Sequence, residues 1–321
     1  MILQVEHTIS FQYSDFIRES WMELRIEPKQ TEYQQVHSFV LTVGPPTKVF
    51  EHHDWLGNSV HHFGIPNFHE RIEIAARSIV ESTQPYPTID QIVPGFPAEP
   101  SSGRFRDFLT LGGPIADDAI VHEFAATAKT GPQPSVSEIV VATADLLKSE
   151  LTYKPTVTSY HSAITEALSH RAGVCQDFAQ IMIAVLRIKG VASRYVSGYL
   201  HVERNQGRNS ESHAWVEYLD PTGAWQAYDP TNHCSPDEKY VVVAHGRNYD
   251  DVPPNKGVYR GSATESLSAT VHTTPTERPD VAGLRELIES IDVPVYSKLP
   301  IKSSAPMDNM VPVEAQQQQQ Q

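Results

Sequence analysis

The hydrophobic pattern of the chain changes its period across a proline-rich stretch at residues 84–103. Before this stretch, apolar residues occupy nearly every second position in several short runs, among them Leu3 to Tyr13, Met22 to Ile26 and Phe39 to Val43. A period of two is that of a half-buried β-strand. Residues 1–90 are therefore predicted to form an N-terminal β-domain with a sandwich-like architecture.

After a Pro/Gly-rich linker at 91–103, the period becomes helical. Ser135 and Glu138 fit a capping box at the start of one helix, and Gly190 fits the end of another. Helices are predicted from Ser135, over about 160–170 and over 175–189, followed by antiparallel strands at about 191–203, 212–219, 224–229, 239–245 and 267–272. Helices followed by antiparallel strands predict an α+β core over residues 104–275, with a C-terminal β extension.

Residues 276–321 end in the glutamine run Gln316–Gln321. Low-complexity sequence of this kind is typical of disorder, so a largely disordered tail is expected.

The net charge of −14 bears on the partners of the chain. An acidic protein repels phosphates, so neither nucleic acid nor an anionic membrane surface is an expected partner. No apolar run approaches the roughly 18 residues of a membrane helix. Since the N-terminus also lacks the pattern of a secretion signal, a cytoplasmic location is expected.

Cys175 lies at the predicted start of the third helix, directly after Gly173 and Val174. A cysteine acts as a nucleophile in its thiolate form, and the partial positive charge of a helix N-terminus favours an anion there. A neighbouring imidazolium would favour the thiolate further. The alternative is a buried structural cysteine that packs as a small hydrophobe.

His213 and Asp229 flank a turn sequence at 220–223. With a three-residue loop at 220–222, the two residues would face each other directly across the hairpin, with Cβ atoms about 4.5–5.5 Å apart. A four-residue loop would break this register unless a bulge restored it. The carboxylate would then hold one imidazole nitrogen and leave the other for Cys175. Taken singly, such residue types are commonplace at surfaces and turns.

Four strings resemble the core of the transglutaminase-like superfamily in its bacterial and archaeal branch: RAGVCQDFA (171–179), SRYVSGY (193–199), HAWVE (213–217) and YDPT (228–231). The resemblance implies a papain-like α+β core in which Cys175, His213 and Asp229 form a catalytic triad. It extends over about residues 1–275, because the N-terminal β-region and GRNYDDVPP (246–254) also resemble this branch. Ala224 is a departure, since the family usually has glycine directly before tryptophan.

Three further residues are candidates for supporting roles. Tyr153 is a candidate oxyanion donor beside the backbone N–H of Cys175, although a core tyrosine fits equally well. Asp177 lies in the first helical turn, where a carboxylate suits the helix dipole, and is expected to support the site structurally. Trp215 shares the face of His213 on a regular strand, so it either walls the site or packs in the core.

A metal or other cofactor is not expected. The pairs that raise the question, His52-His53, His61-His62 and His233-Cys234, lack the paired short spacings of structural zinc. A Cys/His/Asp trio also lacks a fourth zinc ligand. A disulfide between the two cysteines, Cys175 and Cys234, is disfavoured in a reducing cytosol.

The expected function is cysteine-dependent acyl transfer on amide bonds of peptides or proteins, with a thioester intermediate and a hydrolytic outcome. Two alternatives stay open. The first is protein-glutamine transamidation, because the same thioester can be resolved by an amine. The second is a non-catalytic binding or scaffold protein on the same fold. The resemblance further implies an association with peptide-ligase-type enzymes.

Overall fold

The computed structural model describes residues 1–97, 103–203, 211–286, 291–298 and 309–317. The chain divides into two compact units. The first unit contains Met1–Thr83, His201–Glu211 and Pro253–Gln316, and the second contains Gln84–Leu200, Ser212–Val252 and Gln317–Gln321.

The strands are β1 (Ile2–Ile17), β2 (Glu19–Leu24), β3 (Gln34–Gly44), β4 (Phe50–His53), β5 (Ser59–Ile65), β6 (His69–Ser82), β7 (Thr152–Tyr153), β8 (Ala172–Gly173), β9 (Ser193–Leu200), β10 (Glu211–Leu219), β11 (Trp225–Tyr228), β12 (Tyr240–Gly246), β13 (Asn255–Arg260), β14 (Glu265–Thr276) and β15 (Met310–Pro312). The helices are α1 (Ala119–Ala126), α2 (Val136–Glu150), α3 (Ile164–His170), α4 (Cys175–Ile188) and α5 (Val281–Glu286).

The first unit consists of two sheets with the strand orders β14-β1-β6-β3 and β15-β13-β2-β5-β4. Every second residue of β1 is buried along most of its length, as the period of two predicted. Its apolar side chains join those of β2, β5 and β6 in one core, which includes Ile9, Phe11, Met22, Leu24, Phe63, Ile65, Ile72 and Ile74. The predicted N-terminal β-rich region is therefore present.

The first unit also takes strands from the C-terminal part of the chain. β14 pairs antiparallel with β1 from Ile2, opposite Thr276, to Tyr13, opposite Glu265, and β13 pairs with β2. The compact units thus differ from the predicted domains, in which the C-terminal β extension belonged to the core at 104–275. Pairing between residues this distant in sequence leaves no trace in local periodicity.

Part of the predicted disordered tail is ordered. β15 pairs with β13, and Val313 and Gln316 are buried. The backbone N–H of Gln316 donates to Asn255 Oδ1 at 3.0 Å, and its side chain meets His7 Nε2 at 3.0 Å. Residues 318–321 of the glutamine run lie outside the described residues.

The second unit contains the sheet β11-β10-β9-β12, the small parallel pair β7-β8 and helices α1 to α4. The predicted capping box of α2 is confirmed: Ser135 N donates to Glu138 Oε2 at 2.7 Å, and Glu138 N donates to Ser135 Oγ at 3.3 Å. Gly190, with φ of +82°, follows the end of α4 as predicted. Among the described residues, no helix is long and apolar enough to cross a membrane.

Helix α4 is the central helix of the second unit. It packs against α1, α2, α3 and β9, and all its residues from Cys175 to Arg187 are buried. A helix covered on every side is held by tertiary packing more than by its own propensity. This packing fixes the position of its first residue, Cys175.

Candidate active site

The turn into α4 is held by a short sheet and by a capping carboxylate. β7 runs parallel to β8, which leads directly to Cys175. Asp177 Oδ2 accepts the backbone N–H of Val174 at 2.8 Å and the hydroxyl of Thr158 at 2.6 Å. Burial raises the pKa of Asp177. Asp177 thus organises the turn that presents Cys175, in line with the structural role predicted for it.

The hairpin that carries His213 and Asp229 has a different register from the predicted one. Leu219 faces Trp225, whereas the predicted loop placed it opposite Gly223. The prediction is therefore wrong by two positions. Because side chains alternate with a period of two along a strand, a shift of two leaves His213 and Asp229 on the same face.

Asp220 accounts for the longer hairpin. Its backbone N–H donates to Ala224 O at 2.9 Å, so the loop closes one residue later than predicted at each end. The Asp220 carboxylate accepts the backbone N–H groups of Thr222 at 2.8 Å and of Ala224 at 3.0 Å. Gly223 provides the positive φ of +85° that this loop requires. Ala224, the departure from the family pattern, is thus part of the loop closure.

The structure brings the three predicted residues together. His213 Nε2 lies 2.7 Å from Asp229 Oδ2, and both side chains are fully buried. Cys175 lies near enough to the His213 ring for its charge to raise the pKa of that ring. Since Asp229 engages Nε2, the nitrogen that remains for the sulfur is Nδ1. Cys175 is also fully buried, so the sulfur is enclosed in this conformation.

The protonation states of His213 and Asp229 follow from the groups that surround them. Burial alone would lower the pKa of His213, but the charges of Asp229 and Cys175 outweigh burial and raise it to about 10. Burial would likewise raise the pKa of Asp229, yet His213 and the hydrogen-bond donors around the carboxylate lower it. The stable state is therefore an imidazolium beside a carboxylate.

Two residues that the sequence analysis did not single out hold Asp229. Asn232 Nδ2 donates to Asp229 Oδ2 at 2.7 Å, and the Tyr240 hydroxyl donates to the same oxygen at 2.8 Å. Burial and the charge of Asp229 raise the pKa of Tyr240 far above its usual range, which keeps the phenol a donor. Asn232 falls within an Asp-Pro-Thr-Asn turn that could have indicated it. Tyr240 comes from β12 and carried no local signal.

A buried ion pair anchors the strand of His213. Glu217, four residues along β10, meets Arg194 Nε at 2.7 Å, His245 Nε2 at 3.3 Å and the Tyr86 hydroxyl at 3.1 Å. Burial would raise the pKa of Glu217, but Arg194 and His245 lower it well below its usual range. The Glu217 carboxylate thereby ties β10 to β9 and β12, which limits the movement of His213.

The two aromatic candidates lie near the trio. Trp215 is fully buried, and its ring lies 6.1 Å from the His213 ring between centroids. Its indole Nε1 has no hydrogen-bond partner among the described residues. Tyr153 pairs with Gly173, two residues before Cys175, and its ring lies 6.2 Å from Phe178. The oxyanion role of Tyr153 stays a prediction.

Cys234 lies beside the trio and not in it. Its backbone forms a bridge with Asp229, and its sulfur lies 3.6 Å from the Tyr240 hydroxyl. Burial raises the pKa of the Cys234 thiol. Both cysteines are free thiols. Within the described ranges, no group of metal-ligating side chains includes Cys175, His213 or Asp229.

Comparison with known proteins agrees with this architecture. The profile of the transglutaminase-like superfamily matches residues 123–230, and that of the bacterial transglutaminase-like N-terminal region matches residues 3–81. An uncharacterized protein of Mycobacterium leprae is 33% identical over 278 residues, which cover 85% of this chain and 98% of that protein. The chain belongs to the transglutaminase-like superfamily.

Two further similarities extend the comparison. A protein-glutamine gamma-glutamyltransferase of Pseudomonas aeruginosa is 35% identical over 121 residues, which cover 34% of this chain and 18% of that protein. The crystal structure of a proposed cysteine protease from Cytophaga hutchinsonii superposes with a TM-score of 0.72 at 18% identity, covering 98% of both chains. The structural likeness shows that the two chains share a fold.

Proposed function

We propose that this chain is a cysteine-dependent acyl-transfer enzyme that hydrolyses amide bonds of peptides or proteins through a thioester. The observation that carries the proposal is the buried His213 ring, which lies 2.7 Å from the Asp229 carboxylate and interacts electrostatically with Cys175. A raised pKa of about 10 keeps this ring cationic at neutral pH. An imidazolium beside a sulfur favours the thiolate, which is the reactive form of cysteine.

In the first step, the Cys175 thiolate attacks the carbonyl carbon of the amide, and a C–S bond forms. The negative charge that develops on the carbonyl oxygen is accepted by preorganised donors. The backbone N–H of Cys175, at the N-terminus of α4, is the proposed first donor, and Tyr153 is the candidate for the second. The C–N bond then breaks as His213 transfers its proton to the leaving amine.

In the second step, neutral His213 takes a proton from water as the water oxygen attacks the thioester carbonyl. The C–S bond breaks, a carboxylic acid leaves and the thiolate–imidazolium pair is restored. Asp229 keeps the ring oriented through both proton transfers. Because Cys175 is fully buried, the proposed cycle includes an opening of the site that admits the substrate.

Transamidation is the second candidate. It is supported by the 35% identity, over 121 residues, to a protein-glutamine gamma-glutamyltransferase. In this reaction an amine replaces water in the second step, while the three residues keep their roles. The two reactions therefore differ in what reaches the thioester.

A screen of peptide amides tests the proposal. The wild-type protein is incubated with a library of peptide amides, and new carboxylates are identified by mass spectrometry. We expect Cys175→Ala to lose product formation and Cys234→Ala, the matched control, to retain it. Equal product formation by wild type and Cys175→Ala would refute the proposal. Loss in both variants would show that the sulfur of Cys175 is not the specific determinant.

A glutamine-donor assay separates the two reactions. A glutamine peptide is supplied with and without a fluorescent amine, and ammonia release and amine incorporation are both measured. Hydrolysis predicts ammonia and a glutamate product without incorporation. Incorporation that depends on Cys175 would favour transamidation instead. A folded protein in which both cysteines react equally slowly with iodoacetamide would favour a non-catalytic scaffold.

A further inference from the structure

Three metal-ligating side chains converge at one edge of the first unit. Glu27 follows β2, Glu51 lies on the edge strand β4, and His61 lies on β5. One ligand atom of each lies within 4.8 Å of the ligand atoms of the other two. Within the described part of the chain, this is the one group of three such side chains that meets this condition.

The histidine of this trio is held in place. His61 is 6% exposed, and its ring stacks on Phe39 with centroids 5.2 Å apart. Its Nε2 atom lies 2.7 Å from Glu27 Oε2. Glu51 is the direct cross-strand partner of His61, so the two side chains lie on the same face of the sheet. His61 Nε2 therefore meets the Glu27 carboxylate, and the Glu51 carboxylate lies on the same face of the sheet.

The charges of the trio favour a cation. One carboxylate is enough to pair with a histidine. In the same unit, for example, Glu81 pairs with His37 at 2.8 Å. His61 has two carboxylates, which repel each other. Arg25, two residues before Glu27, is matched by Asp54 at 3.7 Å and by Glu23 at 3.5 Å.

We propose that Glu27, Glu51 and His61 bind a divalent transition-metal ion of the zinc type. One imidazole nitrogen and two carboxylate oxygens suit such an ion, whereas Mg²⁺ and Ca²⁺ prefer oxygen alone. Ligands of a tetrahedral zinc lie about 2.0–2.2 Å from the ion, hence roughly 3.4 Å from one another. His61 Nε2 and Glu27 Oε2, now 2.7 Å apart, would move apart as the ion enters between them, and the exposed Glu51 side chain would move towards it. Water completes the coordination.

The bound ion would stabilise an edge of the sandwich. β4 has four residues, all exposed, and lies at the end of its sheet with β5 as its neighbour. A metal held by Glu27, Glu51 and His61 joins β4, β5 and the segment after β2. A metal was not expected from the sequence, because the histidine pairs lack the local spacing of structural zinc. These three ligands come from separate segments of the chain.

Zinc titration of the full, tag-free chain in a Cys175→Ser background tests the site. The protein is stripped with a chelator, and Zn²⁺ is titrated in competition with a chromophoric chelator, with Mg²⁺ as the negative control. We expect one Zn²⁺ per chain. Glu51→Gln and His61→Ala should weaken binding at least about 10-fold, since even the loss of an outer-shell partner has this effect. His37→Ala is the matched control and should bind as the parent does.

A second readout is independent of stoichiometry. Zn²⁺ should slow hydrogen exchange of the amides at residues 50–53 in the parent and leave the rate unchanged in Glu51→Gln. The exposed position of Glu51 makes this variant the one that preserves the fold. Absence of bound Zn²⁺, binding that survives Glu51→Gln, or an equal loss in His37→Ala would each overturn the proposal.

Discussion

Replacing Asp229 by asparagine removes the charge that keeps His213 protonated and changes the side chain by a single heavy atom. Burial is the largest influence on the pKa of His213 and lowers it, and the negative charges of Asp229 and Cys175 reverse this effect. Without Asp229, we expect the His213 pKa to fall from about 10 towards its ordinary value of 6.5. A fall over this whole interval corresponds to roughly 5 kcal/mol of lost stabilisation of the imidazolium.

The direction of the pH effect follows from this pKa. Because the His213 pKa in the folded protein lies above its ordinary value of 6.5, the stabilised imidazolium is fully present below that pH and is lost as pH rises through about 10. An imidazolium is therefore maintained beside Cys175 across neutral pH. In Asp229→Asn this cation is lost, so the labelling rate of Cys175 should rise steeply with pH, as it does for a thiol without a neighbouring cation.

The assay is the rate of iodoacetamide labelling of Cys175 between pH 5 and 10, measured by peptide mass spectrometry. The shape of the pH profile is compared, and not the absolute rate, because opening of the buried site changes the labelling rate by the same factor at every pH. We expect a flat wild-type profile at neutral pH and a steep rise in Asp229→Asn. Cys234 is the internal control and should rise with pH in both proteins. Identical Cys175 profiles would refute the reasoning.

Three further predictions concern contacts within the second unit. Tyr240→Phe removes a 2.8 Å hydrogen bond to Asp229 and should lower the free energy of urea unfolding by about 1.5–3 kcal/mol, the worth of a hydrogen bond to a charged group. Gly198→Ala would place a Cβ against the backbone oxygen of Val241 and the Trp215 ring; we expect a loss of about 1–3 kcal/mol in the same assay. Ser135→Ala removes a helix cap and should cost about 1 kcal/mol while leaving the labelling profile unchanged. If one of these variants unfolded with the same free energy as the wild type, the stabilising role of the contact it removes or disturbs would be refuted.

Local sequence patterns predicted two helices of the second unit, α4 and α2. The apolar run after Cys175 predicted α4, because a buried helix requires such residues on most of its surface. Ser135 and Glu138 predicted the start of α2, since a capping box depends on residues only three apart. These features involve short sequence separations, which is why they could be predicted.

The register of the hairpin could not be predicted from its turn sequence. Loop closure between Asp220 and Ala224 depends on how the Asp220 carboxylate binds the backbone of the loop. The spacing of His213 and Asp229 nevertheless predicted their common face, because an error of two positions preserves the alternation of a strand.

Pairing between strands that are distant in sequence also could not be predicted. β13 and β14 complete sheets that begin with β1 and β2, so the first unit could not be delimited from N-terminal periodicity. The hydroxyl that donates to Asp229 could not be predicted for the same reason, because Tyr240 lies on a different strand, β12. Both cases depend on residues that only the folded chain brings together.

The central claim, that Cys175 forms a thioester with the help of His213, is tested most directly with an activated ester. Wild type, His213→Ala and Cys234→Ala are mixed with p-nitrophenyl acetate, and intact and peptide masses are followed over time. We expect one acetyl group on Cys175 that forms rapidly and then hydrolyses in the wild type and equally in Cys234→Ala, and that does not form in His213→Ala. Acetylation of Cys175 at the same rate without His213, or no acetylation of Cys175 in folded wild-type protein, would contradict it.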